Sequence, residues 1–208
     1  MCQACDTIGE LKNKDHIQKA YAQASDFDEK SKAIAEELGV NVTDVNLKKE
    51  ARIIEKAVKD YNGNIADVKD IVRNTFVCPK EKMKEVEDAI AKEFEVTRIT
   101  RHNTKEGYTG TLFNVKYNGI VMECQVNTPQ MLFAKDDSYK FVLDKNTIAK
   151  LEQAAKEMGL EPGKGHGFYE KVRELDKKLD KELIESIRKE SKEYYQKIRS
   201  IEIDTPQK

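Results

Sequence analysis

Hydrophobic positions recur at helical spacing toward both ends of the chain and at strand spacing through its middle. Residues 9–25 and 27–38 read as two helices, with Asp26 as an N-cap of the second and Gly39 as its stop. Ala51, Ile54, Ala57 and Val58 mark a third helix, entered from Thr43 or Asp44 and ended by Asn62-Gly63. Val68 to Cys78 is β-branched and apolar and is closed by Pro79, so it reads as a strand. Lys80 to Phe94 returns to the helical period, with Met83, Val86, Ala89, Ile90 and Phe94 on one face, and Glu95 to His102 forms a second strand. Residues 107–128 form a hairpin about Asn118-Gly119, since Asn-Gly between alternating strands is the strongest short-range hairpin signal. Helices follow after Pro129, near 146–158, and from Phe168 to Ser200. The last carries a stripe of Val172, Leu175, Leu179, Leu183 and Ile187, suited to packing on the domain or on a partner helix. This order predicts an α/β (α+β) domain with a mixed sheet flanked by helices. The single domain spans 1–208, with its core at about 43–172, a helical extension before it and a C-terminal helix from 173.

The stretch from Ile120 to Thr128 carries the most chemical information. Alternation puts Ile120, Met122, Cys124 and Val126 on one face and Glu123, Gln125 and Asn127 on the other, about 7 Å apart in sequence along the strand. A solvated face would read the same way by alternation alone. The charged helices of this chain, however, use Lys and Glu, whereas this face is mostly amide, which suits hydrogen bonding to a ligand. Asp70 stands at the start of the strand Asp70–Val77. A carboxylate at a strand end facing another on a neighbouring strand is a common way to hold Mg²⁺ on phosphates.

Composition narrows the function. Lys and Arg number 37 and Asp and Glu 38, for a net charge of −1, without the basic excess of a generic nucleic-acid coat or membrane-surface protein. No apolar run approaches a bilayer span and the first ten residues lack the pattern of a secretory signal, so the expectation is a cytoplasmic protein with no membrane partner. The four cysteines fit a reducing compartment, with Cys2-x-x-Cys5 as free thiols and Cys78 and Cys124 as small core residues. The segment Gly159 to Gly165 fails the phosphate-loop pattern and reads as a helix-to-helix loop, which still lets Lys164 approach phosphate. His16 and His102 read as surface residues, and Tyr194-Tyr195 as packing.

Four segments in register resemble the synthetase domain of the RelA/SpoT alarmone synthetases over residues 46–171. VKDIVRNTFV resembles the family's Asp-x-x-Gly-x-Arg strand. GYTGTLFNVKYNGIVMECQVNTPQM resembles its Gly-Tyr-Arg-Ser hairpin followed by Glu-x-Gln-x-Arg-Thr. His166-Gly-Phe-Tyr169 is similar to its His-x-x-Tyr, and LKKEARIIEKAVKDY to its helix bearing Arg-x-Lys and Ile-x-x-Lys. The resemblance implies a nucleotidyltransferase-like fold and transfer of the β,γ-pyrophosphate of ATP to the 3′-hydroxyl of GDP or GTP, with Mg²⁺. It implies Asp70 and Glu123 as catalytic residues and metal ligands, with Glu123 sharing the metal or accepting the proton of the attacking hydroxyl. Lys48, Arg52 and Lys56, spaced four apart along a helix, would grip phosphates together with Arg73. Tyr108, Gln125, Asn127, His166 and Tyr169 would bind the acceptor, with the Tyr108 ring stacked on its base.

The departures point to a divergent, small branch of that family, with toxin-like and phage-associated members. Arg73 and Thr75 stand where the family has Gly and Arg, Thr109-Gly110 where it has Arg-Ser, Asn127 for the arginine after Gln, and Asn46 for the first basic residue of Arg-x-Lys. Some members of that branch modify a tRNA 3′ end or make adenine alarmones, so either acceptor is an alternative to GDP or GTP, and a neutralising antitoxin is an expected partner. A catalytically silent nucleotide-binding domain is the reading from another class. The 42 residues ahead of the match are too few for a hydrolase domain, so a monofunctional synthetase is expected, with the terminal helices as candidate surfaces for a homo-oligomer.

Overall fold

A computed structural model describes residues 11–203, so Cys2 and Cys5 lie outside the described residues. The sheet is built from β1 (Asn41–Val42), β2 (Asn46–Leu47), β3 (Val72–Val77), β4 (Glu95–Asn103), β5 (Thr109–Tyr117) and β6 (Ile120–Asn127). Its order is β1-β3-β6-β5-β4, with β2 also paired to β3. Among these six strands β3 and β6 run parallel and the other pairs are antiparallel, so the sheet is mixed. The β5–β6 turn has positive φ at both Asn118 and Gly119, at 47° and 82°, as a two-residue hairpin with the native twist requires.

Two apolar clusters cover the two faces. On one, α1 (Asp15–Ala22), α2 (Ala24–Leu38), α3 (Glu50–Asp60) and α4 (Met83–Glu93) pack on Phe76, Met122, Cys124, Val126, Phe113 and Val115. Phe27, Phe94 and Tyr117 meet there with ring centroids 5.3–6.0 Å apart. On the other, Val77 joins a cluster made by α5 (Pro129–Lys135), α6 (Tyr139–Val142), α7 (Lys145–Glu157), α8 (Gly165–Glu174) and α9 (Lys181–Arg199). Adjacent residues of β3 thus serve opposite cores, as strand alternation dictates. Among the described residues no helix is long and apolar enough to cross a membrane.

Several expectations are corrected. The strand begins at Val72, because Ile65–Asp67 forms a 3₁₀ turn and residues 69–70 a further turn, so Asp70 precedes the strand. The third helix begins at Glu50 and buries Ile53 and Ala57, leaving Ala51 and Val58 exposed. Thr43 serves the sheet: its hydroxyl accepts from Thr75 N at 3.0 Å. The second helix starts at Ala24, two residues before Asp26. The final helix is broken at 175–180, where Asp176 Oδ1 accepts from the backbone N of Lys178 and Leu179 and Asp180 Oδ2 accepts from Asp176 N. That break takes the predicted stripe apart. Leu179 is 86% and Leu183 51% exposed, while α9 buries Ile184, Ser191, Tyr194, Tyr195 and Ile198. Cys78 and Cys124 are free and buried as expected, and burial pushes the Cys78 thiol up to about 12.

Asn74 lies on the core face of β3 with both amide atoms unpartnered among the described residues. An unmet buried amide costs about 1–3 kcal/mol. Asn74→Leu, of similar shape, is expected to raise the urea unfolding midpoint by a corresponding amount. A lowered midpoint would show that the amide has a partner in solution.

Candidate active site

The site lies on the sheet face opposite the α1–α4 layer. Register sets Arg73 of β3 beside Glu123 of β6, and Glu123 beside Asn114 of β5; Thr75 lies beside Gln125, and Val77 beside Asn127. The amide-rich face is therefore not solvated. Glu123 and Asn127 are buried, and Gln125 is half-buried. Gln125 Nε2 donates to Glu123 Oε1 at 2.7 Å, which orients the carboxylate.

Asp70 reaches the same region from the turn before β3. Lys56 Nζ meets its Oδ1 at 2.9 Å and Lys48 Nζ its Oδ2 at 3.0 Å. Burial acts to raise the Asp70 carboxyl, but the two ammonium groups outweigh it and hold the group below its ordinary value. For Lys56, burial is outweighed by the bond to Asp70, with a further contribution from Glu123, so its affinity for the proton rises. Both carboxylates thus act on one ammonium.

The basic triplet is not a single helical face. Lys48 lies ahead of α3, its backbone N bonded to Ile71 O at 2.9 Å, and only Lys48 and Lys56 converge on Asp70. Arg52 is exposed and pairs with Glu55 at 2.7 Å, so it is not brought to the carboxylates. Lys164 likewise pairs with Glu161 at 2.9 Å.

Beside Glu123 opens a cavity of about 310 Å³, lined among others by Arg73, His102, Tyr108, Gln125, His166 and Tyr169. The sequence-predicted Arg73 and acceptor residues therefore meet here, apart from Asn127, which lies behind Tyr108. The Tyr108 hydroxyl accepts from Asn127 Nδ2 at 3.0 Å and donates to Oδ1 at 3.1 Å. Gly110 makes this pair possible, because a Cβ there would stand 2.3 Å from Asn127 Oδ1. The Tyr108 ring meets Tyr195 edge-on and His102 at a tilt, each at 6.0 Å, and burial raises its hydroxyl's pKa. His166 and Tyr169 stack at 27° on the outer rim, and His166 Nε2 lies 3.3 Å from Glu170.

The loop carrying Tyr108 is fastened to α9. Ser191 Oγ donates to Glu106 O at 2.8 Å, Arg188 Nε meets Glu106 Oε1 at 3.0 Å, and Arg199 Nη2 donates to Gly107 O at 2.6 Å. Gly107, at φ +93°, has no room for a side chain, since its Cβ would stand 2.9 Å from Lys192 Cα. Tyr194 and Tyr195 pack as expected, although Tyr195 also lines the cavity.

Sequence reasoning missed His102, expected at the surface, and Lys135. His102 enters through its pairing with Gly110 across β4 and β5. Lys135 had a signal: besides Glu123 it is the sole charged residue from Ile120 to Lys135, and it follows four buried apolar residues. As for a metal, no group of three or more His, Cys, Asp or Glu is found among the described residues. Asp70 and Glu123 supply oxygen donors of the hard type that Mg²⁺ takes, with both Asp70 oxygens paired to Lys48 and Lys56.

No protein-family model matches the chain. It is 30% identical over 186 residues to the (p)ppApp synthetase toxin Tas1 of Pseudomonas aeruginosa (strain UCBPP-PA14). That alignment covers 87% of this chain and 41% of the relative, so the chain spans about two fifths of the length of the curated relative it matches. Among solved structures it is similar to the Type VI effector Tas1 in complex with its immunity protein, with a TM-score of 0.76 at 27% identity over 89% of this chain and 95% of that one. The small alarmone synthetase 1 from Bacillus subtilis bound to its product pppGpp shares the fold, with a TM-score of 0.51 at 16% identity over 89% of this chain and 92% of that one.

Two outcomes follow from the site geometry. Gly110→Ala must displace Asn127, and urea unfolding is expected to show a loss of about 1–3 kcal/mol. In an Asn127→Ala background most of that loss should vanish; fully additive costs would refute the steric account. The second concerns acid. Because the folded Asp70 carboxyl is depressed, its contribution to stability is fully present above the unfolded value of about 3.9 and is lost as pH falls through the folded one. The melting-temperature gap between the parent protein and Asp70→Asn should therefore be constant above about pH 5 and shrink in acid. A gap that persists unchanged to the lowest pH would mean Asp70 is not held ionised by its lysines.

Proposed function

Because the chain belongs to the RelA/SpoT alarmone synthetase family, in its divergent small toxin-like branch, we propose that it transfers the β,γ-pyrophosphate of ATP to the ribose 3′-hydroxyl of an adenine nucleotide. The observation that carries this reading is Asp70 held between Lys48 and Lys56, with Glu123 bonded to Gln125 on the wall of a cavity that Tyr108 and His102 also line. Pyrophosphoryl transfer needs little covalent chemistry from a protein; positioning and charge neutralisation lower most of the barrier.

Each group has a role in that scheme. Glu123 accepts the proton of the attacking hydroxyl through Oε2, which makes no hydrogen bond among the described residues, while Gln125 holds Oε1. Lys48 and Lys56 keep Asp70 ionised and lie where a triphosphate would approach. Asp70 and Glu123 are the ligands a Mg²⁺ would take, and the ion when bound would neutralise charge on the triphosphate. Tyr108, held by Asn127 and braced by Tyr195, offers its ring to the acceptor base.

The adenine acceptor leads over GDP or GTP because the 30%-identical relative is a (p)ppApp synthetase. Thr109-Gly110 in place of Arg-Ser also removes the arginine expected beside a guanine nucleotide. A tRNA acceptor is disfavoured by the charge of −1. A neutralising partner protein belongs to the same reading, since the related effector was solved with its immunity protein.

The test incubates the protein with γ-labelled ATP and Mg²⁺ and separately AMP, ADP, GDP, GTP and bulk tRNA. Label is expected on the adenine nucleotides, and Glu123→Gln is expected to lower the rate by about a hundredfold or more with the fold unchanged by circular dichroism. Label on GDP or GTP would move the acceptor to guanine. An undiminished rate in Glu123→Gln would remove the assigned base, and the absence of label on every acceptor would leave a silent binding domain.

A further inference from the structure

Lys48 and Lys56 reach the two oxygens of Asp70 from different supports. Lys56 projects from within α3, where the helix fixes its backbone. Lys48 stands two residues ahead of that helix, just beyond β2, a strand of two residues paired to β3 at Asn46 and Leu47. So short a segment has little regular structure to hold it, and a lysine carries its charge on a flexible stem. The Lys48 ammonium is nonetheless placed 3.0 Å from Asp70 Oδ2.

The fixing comes from outside that segment. The Tyr21 hydroxyl, near the end of α1, donates to the Lys48 carbonyl oxygen. Lys48 N donates in turn to Ile71 O at 2.9 Å, so both main-chain groups of this residue are bonded. The Tyr21 ring packs on the apolar cluster beneath α1–α4, which sets the direction of its hydroxyl. Burial, with the Glu50 carboxylate adding to it, raises the pKa of that hydroxyl and keeps it a donor. A second tie comes from α2, where Asp28 Oδ1 accepts from Val45 N at 3.0 Å. Lys32 joins Asp28 and Asp44 at 2.6 and 2.7 Å, an exposed pairing that adds little by itself.

We propose that Tyr21 is a positioning residue of the donor site, which fixes the Lys48 backbone and so aims its ammonium at the triphosphate of ATP. This rests on the reading of Lys48 and Lys56 as the groups that meet the triphosphate. It gives the helical extension ahead of residue 46, where the family resemblance begins, a part in donor binding. Holding the main chain before the nucleotide arrives removes an ordering cost that a lysine on a loose segment would incur on binding.

Tyr21→Phe removes the hydroxyl and keeps the ring, so the packing of α1 is retained. The experiment combines calorimetric titration of α,β-methylene-ATP in the presence of Mg²⁺ with hydrogen–deuterium exchange on the free protein. Tyr21→Phe is expected to weaken binding of the analogue by about threefold to tenfold, the range of one lost hydrogen bond. In a Lys48→Met background the same substitution should change affinity by less than about twofold, because the ammonium it aims is gone. Exchange at residues 45–48 of Tyr21→Phe should quicken by about threefold or more, with α1 and α2 unchanged. If the parent binds the analogue, equal weakening in both backgrounds, or none, would overturn the role and leave the donor reading standing. Exchange that is unchanged at 45–48, or raised throughout α1 and α2, would overturn the role in the same way. A parent that binds no analogue would overturn the donor reading, and the role with it.

Discussion

The alternation of side chains along β6 is the constraint on which both fold and site depend. This strand is paired on both sides, in parallel with β3 and antiparallel with β5. Met122, Cys124 and Val126 build the core beneath the helices, and Glu123, Gln125 and Asn127 build the site above it. A slip of one residue would exchange the two sets, burying a carboxylate in the core and placing apolar side chains on the site face. The register is pinned at both ends. The two positive-φ residues of the hairpin turn fix one, and Thr128, whose hydroxyl accepts from Met131 N ahead of α5, fixes the other. Packing and chemistry are thus selected by the same backbone register.

Electrostatics divides the site into two regimes. Around Asp70 opposite charges meet at hydrogen-bond distance, so both ammonium groups there have a carboxylate partner before any substrate arrives. In the cavity beside Glu123 the Lys135 ammonium has a longer ion pair, 3.8 Å from Asp136, and other walls are aromatic. The first regime suits a region that must keep a carboxylate ionised, the second a region whose ligand brings its own charge. Gln125 joins them, donating to Glu123 and lying within reach of Lys135.

Most of the sheet was legible in the sequence because it is encoded locally. Period-2 alternation showed both faces of β6 and Asn118-Gly119 showed the hairpin, whereas Asp70 and Glu123 were grouped only through the family resemblance of their motifs. The misses are long-range. Strands β1 and β2, of two residues each, have no pattern of their own and exist because β3 offers them partners. Lys48 and Arg52 looked alike by spacing, yet where the helix starts decides that one reaches Asp70 and the other faces solvent. The leucine stripe after Phe168 followed the helical period, but the turn made by Asp176 and Asp180 cut the helix and left Leu179 exposed. His102 reaches the cavity only through its pairing across two strands, which spacing along the chain does not convey.

The fastening of the Tyr108 loop to α9 has a bearing on synthesis. Glu106 and Gly107 are held by Ser191, Arg188 and Arg199, more than eighty positions later in the chain. The sheet, both carboxylates and their lysines can all emerge from a ribosome before those anchors do. A nascent chain therefore carries its reactive groups for some time with the aromatic wall unsupported, and the cavity acquires its full shape only when the segment up to Arg199 has left the exit tunnel. This order of assembly acts as a delay on the completion of the cavity, written into the distance along the chain between a loop and its anchor.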